Sequence, residues 1–166
     1  MVFWFTGLPC SGKTTLALGL VDELRSKGFK VEHLDGDVVR KFYPSLGFTK
    51  ESRILHIRQM TLLSTILERN DIIVVASFVS PYQESRDFAR ENCKEFCEIY
   101  LSTSLEVCED RDVKGMYKKA REGVIKSFTG VDDVYEIPDN PDVVINTEGR
   151  EISDCINEIV NKASLS

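Results

Sequence analysis

The segment Gly7–Thr14 has the residue types and spacing of a loop that binds phosphate groups. It reads Gly-Leu-Pro-Cys-Ser-Gly-Lys-Thr, which fits the pattern GxxxxGK[ST], and it directly follows the apolar run Val2–Thr6. In such a loop the backbone N–H groups and the start of the next helix face an anion. Lys13 then bridges the β- and γ-phosphates of a nucleoside triphosphate, and Thr14 is a ligand for Mg²⁺. The loop predicts triphosphate binding but does not define the reaction.

Two carboxylates follow the next apolar run and predict the acceptor side of a reaction. Asp35-Gly36-Asp37 comes directly after Val31–Leu34, at the carboxyl end of a predicted strand, where ligands bind in open α/β sheets. One carboxylate there can hold Mg²⁺ through water, while the other accepts the proton of an attacking hydroxyl. An Asp-Gly-Asp is also an ordinary turn, but its place beside a phosphate loop favours the catalytic interpretation. Which of the two acids has which task stays open.

Basic residues near the acidic pair suit an anionic acceptor. Arg40, Arg53 and Arg58 come soon after it, and guanidinium groups bind phosphate or sulfate bidentately; solvated helix charge is the alternative. The segment Asp112–Pro141 breaks the rhythm of strands and helices, and we interpret this long predicted loop as a mobile lid, residues 112–141, rather than an idle surface loop. Its cations are Lys114, Lys118, Lys119, Arg121 and Lys126. The run Ser77–Tyr82 ends the third predicted strand, where we expect an exposed serine and backbone groups that can reach a ligand.

Short apolar runs alternate with longer helical patterns along the chain, without a repeat or a linker. This alternation predicts one α/β domain over residues 1–166, with a parallel sheet of about five strands between two layers of helices. The predicted strands are Val2–Thr6, Val31–Leu34, Ile72–Ser77, Glu98–Leu101 and Val143–Ile145. The predicted helices are Lys13–Lys27, Lys50–Arg69, Glu84–Asn92, Leu105–Arg111 and Glu151–Ala163.

Composition argues against several classes of function. The net charge of -6 provides no broad positive field for nucleic acid, and the run Met1–Thr6 is too short for a signal peptide or a membrane span. Five cysteines without CxxC spacing and two distant histidines argue against a zinc site and a disulfide scaffold. We expect a cytoplasmic protein that binds small molecules, and neither nucleic acid nor a membrane. The oligomeric state stays open, with a homodimer as one alternative.

Several blocks resemble the adenylyl-sulfate kinase family, and the likeness runs from about Val2 to Thr147. The most specific part is Val-Lys-Gly-Met-Tyr-Lys-Lys-Ala-Arg-Glu-Gly, followed by Ile-Lys-Ser-Phe-Thr-Gly-Val-Asp-Asp. The resemblance implies a P-loop NTPase fold, with MgATP as donor. It also implies transfer to the ribose 3′-hydroxyl of adenylyl sulfate, giving 3′-phosphoadenylyl sulfate in sulfate assimilation. The matching blocks are Gly7–Thr15, Leu34–Asp37, Leu46–Thr49, Ser77–Tyr82 and Leu105–Asp133.

The resemblance further implies roles for single residues, with Lys13, Asp35 and Asp37 as the catalytic set. Phe48 is expected to stack on the acceptor nucleotide. Ser80 matches a serine once proposed as a phosphoryl intermediate, but direct in-line transfer needs none, so a binding role is expected. The residues expected to bind ATP are Gly7, Pro9, Cys10, Ser11, Gly12, Lys13, Thr14, Thr15 and Arg111, with Thr14 also the ligand for Mg²⁺. Those expected to bind the acceptor are Asp35, Asp37, Arg40, Phe48, Arg53, His56, Val79, Ser80, Lys114, Ser127 and Phe128.

The departures from the family's usual pattern fall on the expected acceptor side, at three single positions and in the stretch Lys41-Phe42-Tyr43-Pro44. Val38 and His56 stand where asparagine is usual, and Ser127 stands where glycine is usual. A second hypothesis is therefore a kinase of the same build that acts on a related nucleotide, for example a cytidine diphosphoramidate. A third is a non-catalytic nucleotide-binding module. Four intact residues argue against the third, namely Lys13, Thr14, Asp35 and Asp37.

Overall fold

A five-stranded parallel sheet forms the centre of the chain in the computed structural model, which describes residues 1–43 and 47–163. Its strands are β1 (Val2–Gly7), β2 (Val31–Asp35), β3 (Ile73–Ser77), β4 (Phe96–Leu101) and β5 (Val143–Ile145). The strand order is β2-β3-β1-β4-β5, and each neighbouring pair is parallel. The sheet confirms the predicted fold class, and each predicted strand overlaps an observed one.

Helices connect the strands and cover both faces of the sheet. They are α1 (Lys13–Ser26), α2 (Gly36–Arg40), α3 (Lys50–Glu68), α4 (Gln83–Asn92), α5 (Leu105–Arg111), α6 (Met116–Arg121) and α7 (Ile152–Lys162). The observed α1, α3, α4, α5 and α7 confirm the predicted helices. The sequence did not predict α2 or α6, which are too short to carry a readable apolar period. Part of the matching block Leu46–Thr49 lies outside the described residues.

The core forms two layers because side chains alternate across the buried strand β1. Phe3 and Phe5 pack in the layer of α1 and α7, whereas Val2 and Trp4 pack in the layer of α3 and α4. A strand that is apolar on both faces is expected at the centre of a parallel sheet. This packing fixes the carboxyl end of β1, where the phosphate loop begins.

The segment Asp112–Pro141, interpreted from the sequence as a lid, contains regular structure that the sequence did not predict. It contains α6 and a small apolar cluster, in which the rings of Tyr117 and Phe128 meet edge to face with centroids 5.0 Å apart. The Tyr117 hydroxyl also donates to the Pro9 carbonyl at 2.9 Å, which ties the segment to the phosphate loop. Its apolar side chains pack across a loop and not along one helix, so they show no periodicity. The mobility of this lid stays a prediction.

The five cysteines are free thiols in the structure. Burial raises the pKa of Cys93 and of Cys97 to about 12, so both thiols stay protonated and unreactive at neutral pH. Within residues 1–43 and 47–163, no helix has the length and apolar content that a membrane span requires.

Candidate active site

A cavity of about 630 Å³ opens where β1, β2 and β3 end, and it gathers nearly all of the predicted site residues. This is the edge at which open parallel sheets bind their ligands. Two predicted residues of the loop, Gly7 and Ser11, do not line the cavity, and Ser11 is fully buried. The predicted residues that line it are Pro9, Cys10, Gly12, Lys13, Thr14, Thr15, Asp35, Asp37, Arg40, Phe48, Arg53, His56, Val79, Ser80, Arg111, Lys114, Ser127 and Phe128.

A glycine in a left-handed conformation leads from the phosphate loop into α1, and the ammonium group of the lysine after it points back to the loop. Gly12 has φ of 103°, a left-handed value that directs the chain into α1. The Lys13 ammonium donates to the carbonyls of Gly7 at 3.0 Å and Leu8 at 2.6 Å. Burial lowers the pKa of Lys13 to about 8 despite nearby acidic groups. An incoming phosphate can therefore exchange for weak neutral acceptors at this cation.

Three residues from outside the phosphate loop, Thr103, Arg111 and Thr147, donate hydrogen bonds to its backbone carbonyls. Ser11 O accepts hydrogen bonds from Thr103 Oγ1 at 3.2 Å and from Thr147 Oγ1 at 3.0 Å. Arg111 donates to Cys10 O at 3.3 Å and to Thr147 Oγ1 at 3.0 Å. Arg111 thus lies beside the loop, and the role in ATP binding that the resemblance implies for it stays a prediction. Sequence reasoning missed Thr147, because a lone threonine after a short strand carries no motif.

Asp35 is the most heavily hydrogen-bonded acid of the site. Its Oδ1 caps α2 by accepting from the backbone N–H groups of Asp37 at 2.9 Å and Val38 at 3.1 Å. Its Oδ2 accepts from the hydroxyls of Thr14 at 2.9 Å and Ser77 at 3.2 Å. Burial alone would raise the pKa of Asp35, but these four donors together lower it below its ordinary value. Asp35 is therefore a fixed carboxylate.

Gly36 separates the two acids because the chain passes close to β3 there. A Cβ atom at Gly36 would lie 3.0 Å from Cδ1 of Phe78 and 3.3 Å from the carbonyl oxygen of Ser77. Asp37 follows on the first turn of α2 and is 73% exposed in its side chain. It forms an ion pair with Lys114 of the lid, and the hydrogen bond and charge of Asp37 raise the pKa of Lys114. The two carboxylates thus have different environments.

Phe48, which lines the cavity, lies close to two guanidinium groups. The guanidinium carbon of Arg40 is 4.4 Å from the ring centroid and that of Arg53 is 5.5 Å from it. Arg53 also donates to the carbonyls of Phe48 at 3.0 Å and Ser127 at 2.7 Å, so it joins α3 to the lid. Phe48 is 52% exposed, which leaves part of its ring available to a planar ligand. The predicted trio of Arg40, Phe48 and Arg53 is therefore one cluster.

His56 lines the same cavity and is buried without a hydrogen bond. Neither ring nitrogen has a partner in the described part of the chain, and 4% of the residue is exposed. Its ring instead meets Phe78 and Tyr43 edge to face, with centroids 5.8 Å and 6.1 Å away. Burial, assisted by the charge of Arg40, lowers the pKa of His56 to about 4. The ring is thus neutral at physiological pH and available to a ligand atom.

The prediction of an exposed serine at the end of β3 was wrong, since Ser77 and Ser80 are 4% and 2% exposed. Ser80 Oγ accepts from the indole N–H of Trp4 at 2.9 Å, and its carbonyl accepts from Arg86 at 2.6 Å. The hydroxyl of Ser80 is therefore used inside the fold. Val79 reaches the cavity beside it, and its carbonyl accepts from the hydroxyl of Thr6 at 2.8 Å. The binding roles of both residues stay predictions.

Ser127 and Phe128 form the lid side of the cavity. Ser127 has φ of 55°, in the left-handed region that favours glycine, which accounts for the glycine usual at this place in the resembling family. The carboxylate of Asp132 stabilises this turn by accepting from the N–H groups of Ser127 at 2.9 Å and Phe128 at 2.7 Å. Phe128 is 7% exposed, so it shapes the wall more than it offers free surface.

The donor set near Thr14 fits a magnesium ion that comes with a nucleotide. The hydroxyl of Thr14 and the carboxylate of Asp35 are 2.9 Å apart, which places two hard oxygen ligands together. No group of three or more His, Cys, Asp or Glu side chains suited to a metal occurs among residues 1–43 and 47–163. Mg²⁺ commonly binds with one or two protein oxygens, waters and substrate phosphates, so this small set is sufficient.

A parallel α/β sheet with a phosphate loop after β1 and paired acids after β2 defines a P-loop kinase, and three comparisons define its family. The profile of the adenylylsulphate kinase family matches residues 1–146. An adenylyl-sulfate kinase of Halothermothrix orenii is 48% identical over 95% of this chain and 85% of its own length. The structure of an APS kinase of Mycobacterium tuberculosis in complex with AMPPNP and APS superposes with a TM-score of 0.93 at 35% identity, over 97% of this chain and 95% of that one. The chain belongs to the adenylyl-sulfate kinase family and is a phosphotransferase.

Proposed function

We propose that this chain transfers the γ-phosphoryl group of ATP to the ribose 3′-hydroxyl of adenylyl sulfate, giving 3′-phosphoadenylyl sulfate. The observation that carries the proposal is the position of Asp37. Asp37 lines the same cavity as Lys13, on the phosphate side, and Arg40, on the acceptor side. A carboxylate between a triphosphate site and an anion site is where an attacking hydroxyl has to be oriented.

The donor side uses residues of the phosphate loop. Lys13 leaves the carbonyls of Gly7 and Leu8 and binds the phosphate oxygens, while the loop N–H groups hold the chain of phosphates. Thr14 and Asp35 would hold Mg²⁺, which when bound neutralises charge on the β- and γ-phosphate oxygens. Asp35 acts as the fixed member of the pair because four donors already orient its carboxylate.

Asp37 has the acceptor task in this division of labour. The ribose 3′-oxygen forms a bond to the γ-phosphorus while the bond from that phosphorus to the β–γ bridging oxygen breaks, and ADP leaves. The hydroxyl proton passes to the Asp37 carboxylate. Lys114 exchanges its contact with Asp37 for the transferring phosphoryl group, where a cation lowers the barrier. In this scheme no covalent enzyme intermediate is needed, so the buried Ser80 has no chemical step.

The acceptor nucleotide fits the cluster at the mouth of the cavity. The exposed part of the Phe48 ring stacks on the base, and Arg40 and Arg53 attract its anionic groups. Val79, Ser127 and Phe128 form the surrounding wall. His56 offers one ring nitrogen to the acceptor, because burial without a partner is costly unless a ligand supplies the bond.

The buried ring of His56 also supports an alternative acceptor substrate. His56 replaces the amide that is usual at this position, and a neutral imidazole presents one donor and one acceptor in a different geometry from that of an amide. A related nucleotide such as a cytidine diphosphoramidate is therefore the alternative substrate. The non-catalytic alternative lacks such support, since Lys13, Thr14, Asp35 and Asp37 all line one cavity.

A coupled assay of ADP release over a panel of acceptors tests the proposal. We expect turnover with MgATP and adenylyl sulfate, and loss of that turnover in Lys13→Ala. Turnover with a pyrimidine nucleotide and none with adenylyl sulfate would select the alternative acceptor. Stoichiometric ATP binding without turnover on any acceptor would select the non-catalytic module. His56→Asn is the matched variant for the choice of acceptor, because it restores the side chain that is usual in the family and leaves the phosphate loop unchanged.

Two expectations of the sequence analysis stay predictions. A homodimer is tested by sedimentation velocity, where a single species of twice the chain mass supports it. A cytoplasmic location is tested by fractionating cells and following the activity. Neither changes the assignment of the site residues.

A further inference from the structure

His33 belongs to a hydrogen-bonded chain that ends at the phosphate loop. The Nε2 atom of His33 lies 3.0 Å from Ser77 Oγ, and Ser77 Oγ donates to Asp35 Oδ2 at 3.2 Å. The hydroxyl of Thr14 donates to the same carboxylate oxygen at 2.9 Å. The order of the chain is therefore imidazole, hydroxyl, carboxylate, hydroxyl. None of the roles assigned above involves His33.

The sheet register explains why these side chains meet. Asp35 of β2 pairs with Ser77 of β3, and His33 pairs with Val75 in the same parallel ladder. Residues two apart on a strand point to one face, so His33 and Asp35 both lie on the face that Ser77 shares. His33 then reaches Ser77 diagonally across the two strands.

The number of protons available in this hydrogen-bonded series determines which ring nitrogen of His33 carries a proton. A carboxylate only accepts, so the single hydroxyl proton of Ser77 is used in its bond to Asp35. Ser77 Oγ can then only accept from His33, and Nε2 has to be the nitrogen that carries the proton. All hydrogen bonds of the series thus run in one direction: His33 donates to Ser77, and Ser77 donates to Asp35.

We propose that His33 is a positioning residue of the magnesium and phosphate site. It donates through Nε2–H to Ser77, which directs the Ser77 hydroxyl at Asp35 and holds Oδ2 in place beside Thr14. The proposal rests on the proposed function for the task of Asp35, but the hydrogen-bonded chain itself does not depend on the acceptor. Outer groups of this kind orient metal-binding carboxylates and influence affinity without touching the ligand.

Nitrogen NMR of the nucleotide-free protein tests the first half of the proposal. The chain has two histidines, so in the His56→Asn variant one imidazole remains and its assignment is unambiguous. We expect the proton of neutral His33 on Nε2, with that N–H protected from exchange, and we expect Ser77→Ala to remove the protection. A proton on Nδ1 would overturn the proposal, because Ser77 would then have to donate to His33 and not to Asp35.

Calorimetry of ADP binding with and without Mg²⁺ tests the second half. His33→Phe removes the donor and keeps a planar ring, and we expect it to weaken MgADP binding by about 10-fold while ADP alone is little affected. His33→Gln, which keeps an N–H donor, should bind MgADP nearly as the parent does. In Ser77→Ala the same His33→Phe change should have no further effect, as required for residues that act through one another. Equal losses with ADP and MgADP, or no rescue by glutamine, would reject a positioning role. These readouts do not use the acceptor, so failure of the assigned reaction would leave them intact.

Discussion

Lys114, in the lid, forms an ion pair with Asp37, the exposed acid at the start of α2. The pair connects the lid with the end of β2 across the mouth of the cavity. Both side chains are largely exposed, 61% for Lys114 and 73% for Asp37, so solvent screens the attraction and a competing ligand can break it. The contact brings a cation and a carboxylate to the place where the two substrates have to meet.

Replacing Lys114 by methionine should therefore impair catalysis more than stability. The transferring phosphoryl group would lose a lid cation, and we expect kcat/KM for the acceptor to fall by about 10²-fold. Lys118→Met is the matched control, since Lys118 is an exposed cation of the same lid. Steady-state kinetics for both variants check this, and equal small losses would mean that lid charge acts only as a general field.

Substitutions of the two acids of the Asp-Gly-Asp should have different effects, one on turnover and the other on MgATP binding. We expect Asp37→Asn to lower kcat by about 10²- to 10⁴-fold with little change in MgATP affinity, because the amide cannot accept the hydroxyl proton. Asp35→Asn should instead weaken MgATP binding, since Asp35 holds the hydroxyl of Thr14. Calorimetry and single-turnover kinetics measure the two effects. A selective loss of MgATP binding in Asp37→Asn would exchange the two assignments.

Above pH 8, the protein should take up a proton when it binds a nucleotide. Burial lowers the pKa of Lys13 to about 8 in the free protein, and bound phosphates raise that pKa again by favouring the charged form. MgADP affinity should then fall as the pH rises from 8 towards 10, by up to about 10-fold per pH unit. Calorimetry in buffers of different ionisation enthalpy counts the protons. Lys13→Arg, which stays charged, should show no uptake; an equal uptake in that variant would assign the proton to another group.

His56 should make the free energy of unfolding depend on pH in acid. Burial lowers the pKa of His56 from 6.5 to about 4, so between these values the unfolded chain binds more protons than the folded one. The stability of the parent protein should therefore rise between pH 4 and 6.5 and stay level above that range as far as His56 is concerned. His56→Asn should remove up to about 3 kcal/mol of this dependence. Urea unfolding at pH 4.5 and 7.5 checks it, and identical pH dependence in both proteins would contradict burial of a neutral ring.

Local sequence patterns predicted the large elements and most of the named residues that line the cavity. The buried runs of β1 to β5 and the long periods of α1, α3 and α7 are readable because each buries an apolar face. Predicted residues lie together in the cavity where a motif ties several of them to one turn of chain, as in Gly7–Thr14 and Asp35–Asp37, and their roles stay predictions. Prediction failed for α6 and for the exposed serine, because in both cases packing against a distant segment decides the outcome.

The sequence alone determined that a lysine, a threonine and two acids follow the first two strands of the chain, because residue order places them at the carboxyl ends of parallel strands. Only the tertiary structure decided how the two acids differ. Asp35 accepts four hydrogen bonds from β3, α1 and its own turn, whereas Asp37 points to solvent and to Lys114. It also decided that Ser80 is turned inward and that His33 reaches Ser77. These outcomes depend on which groups from distant parts of the chain come within 3 Å or so of one another, and linear order carries no such distance.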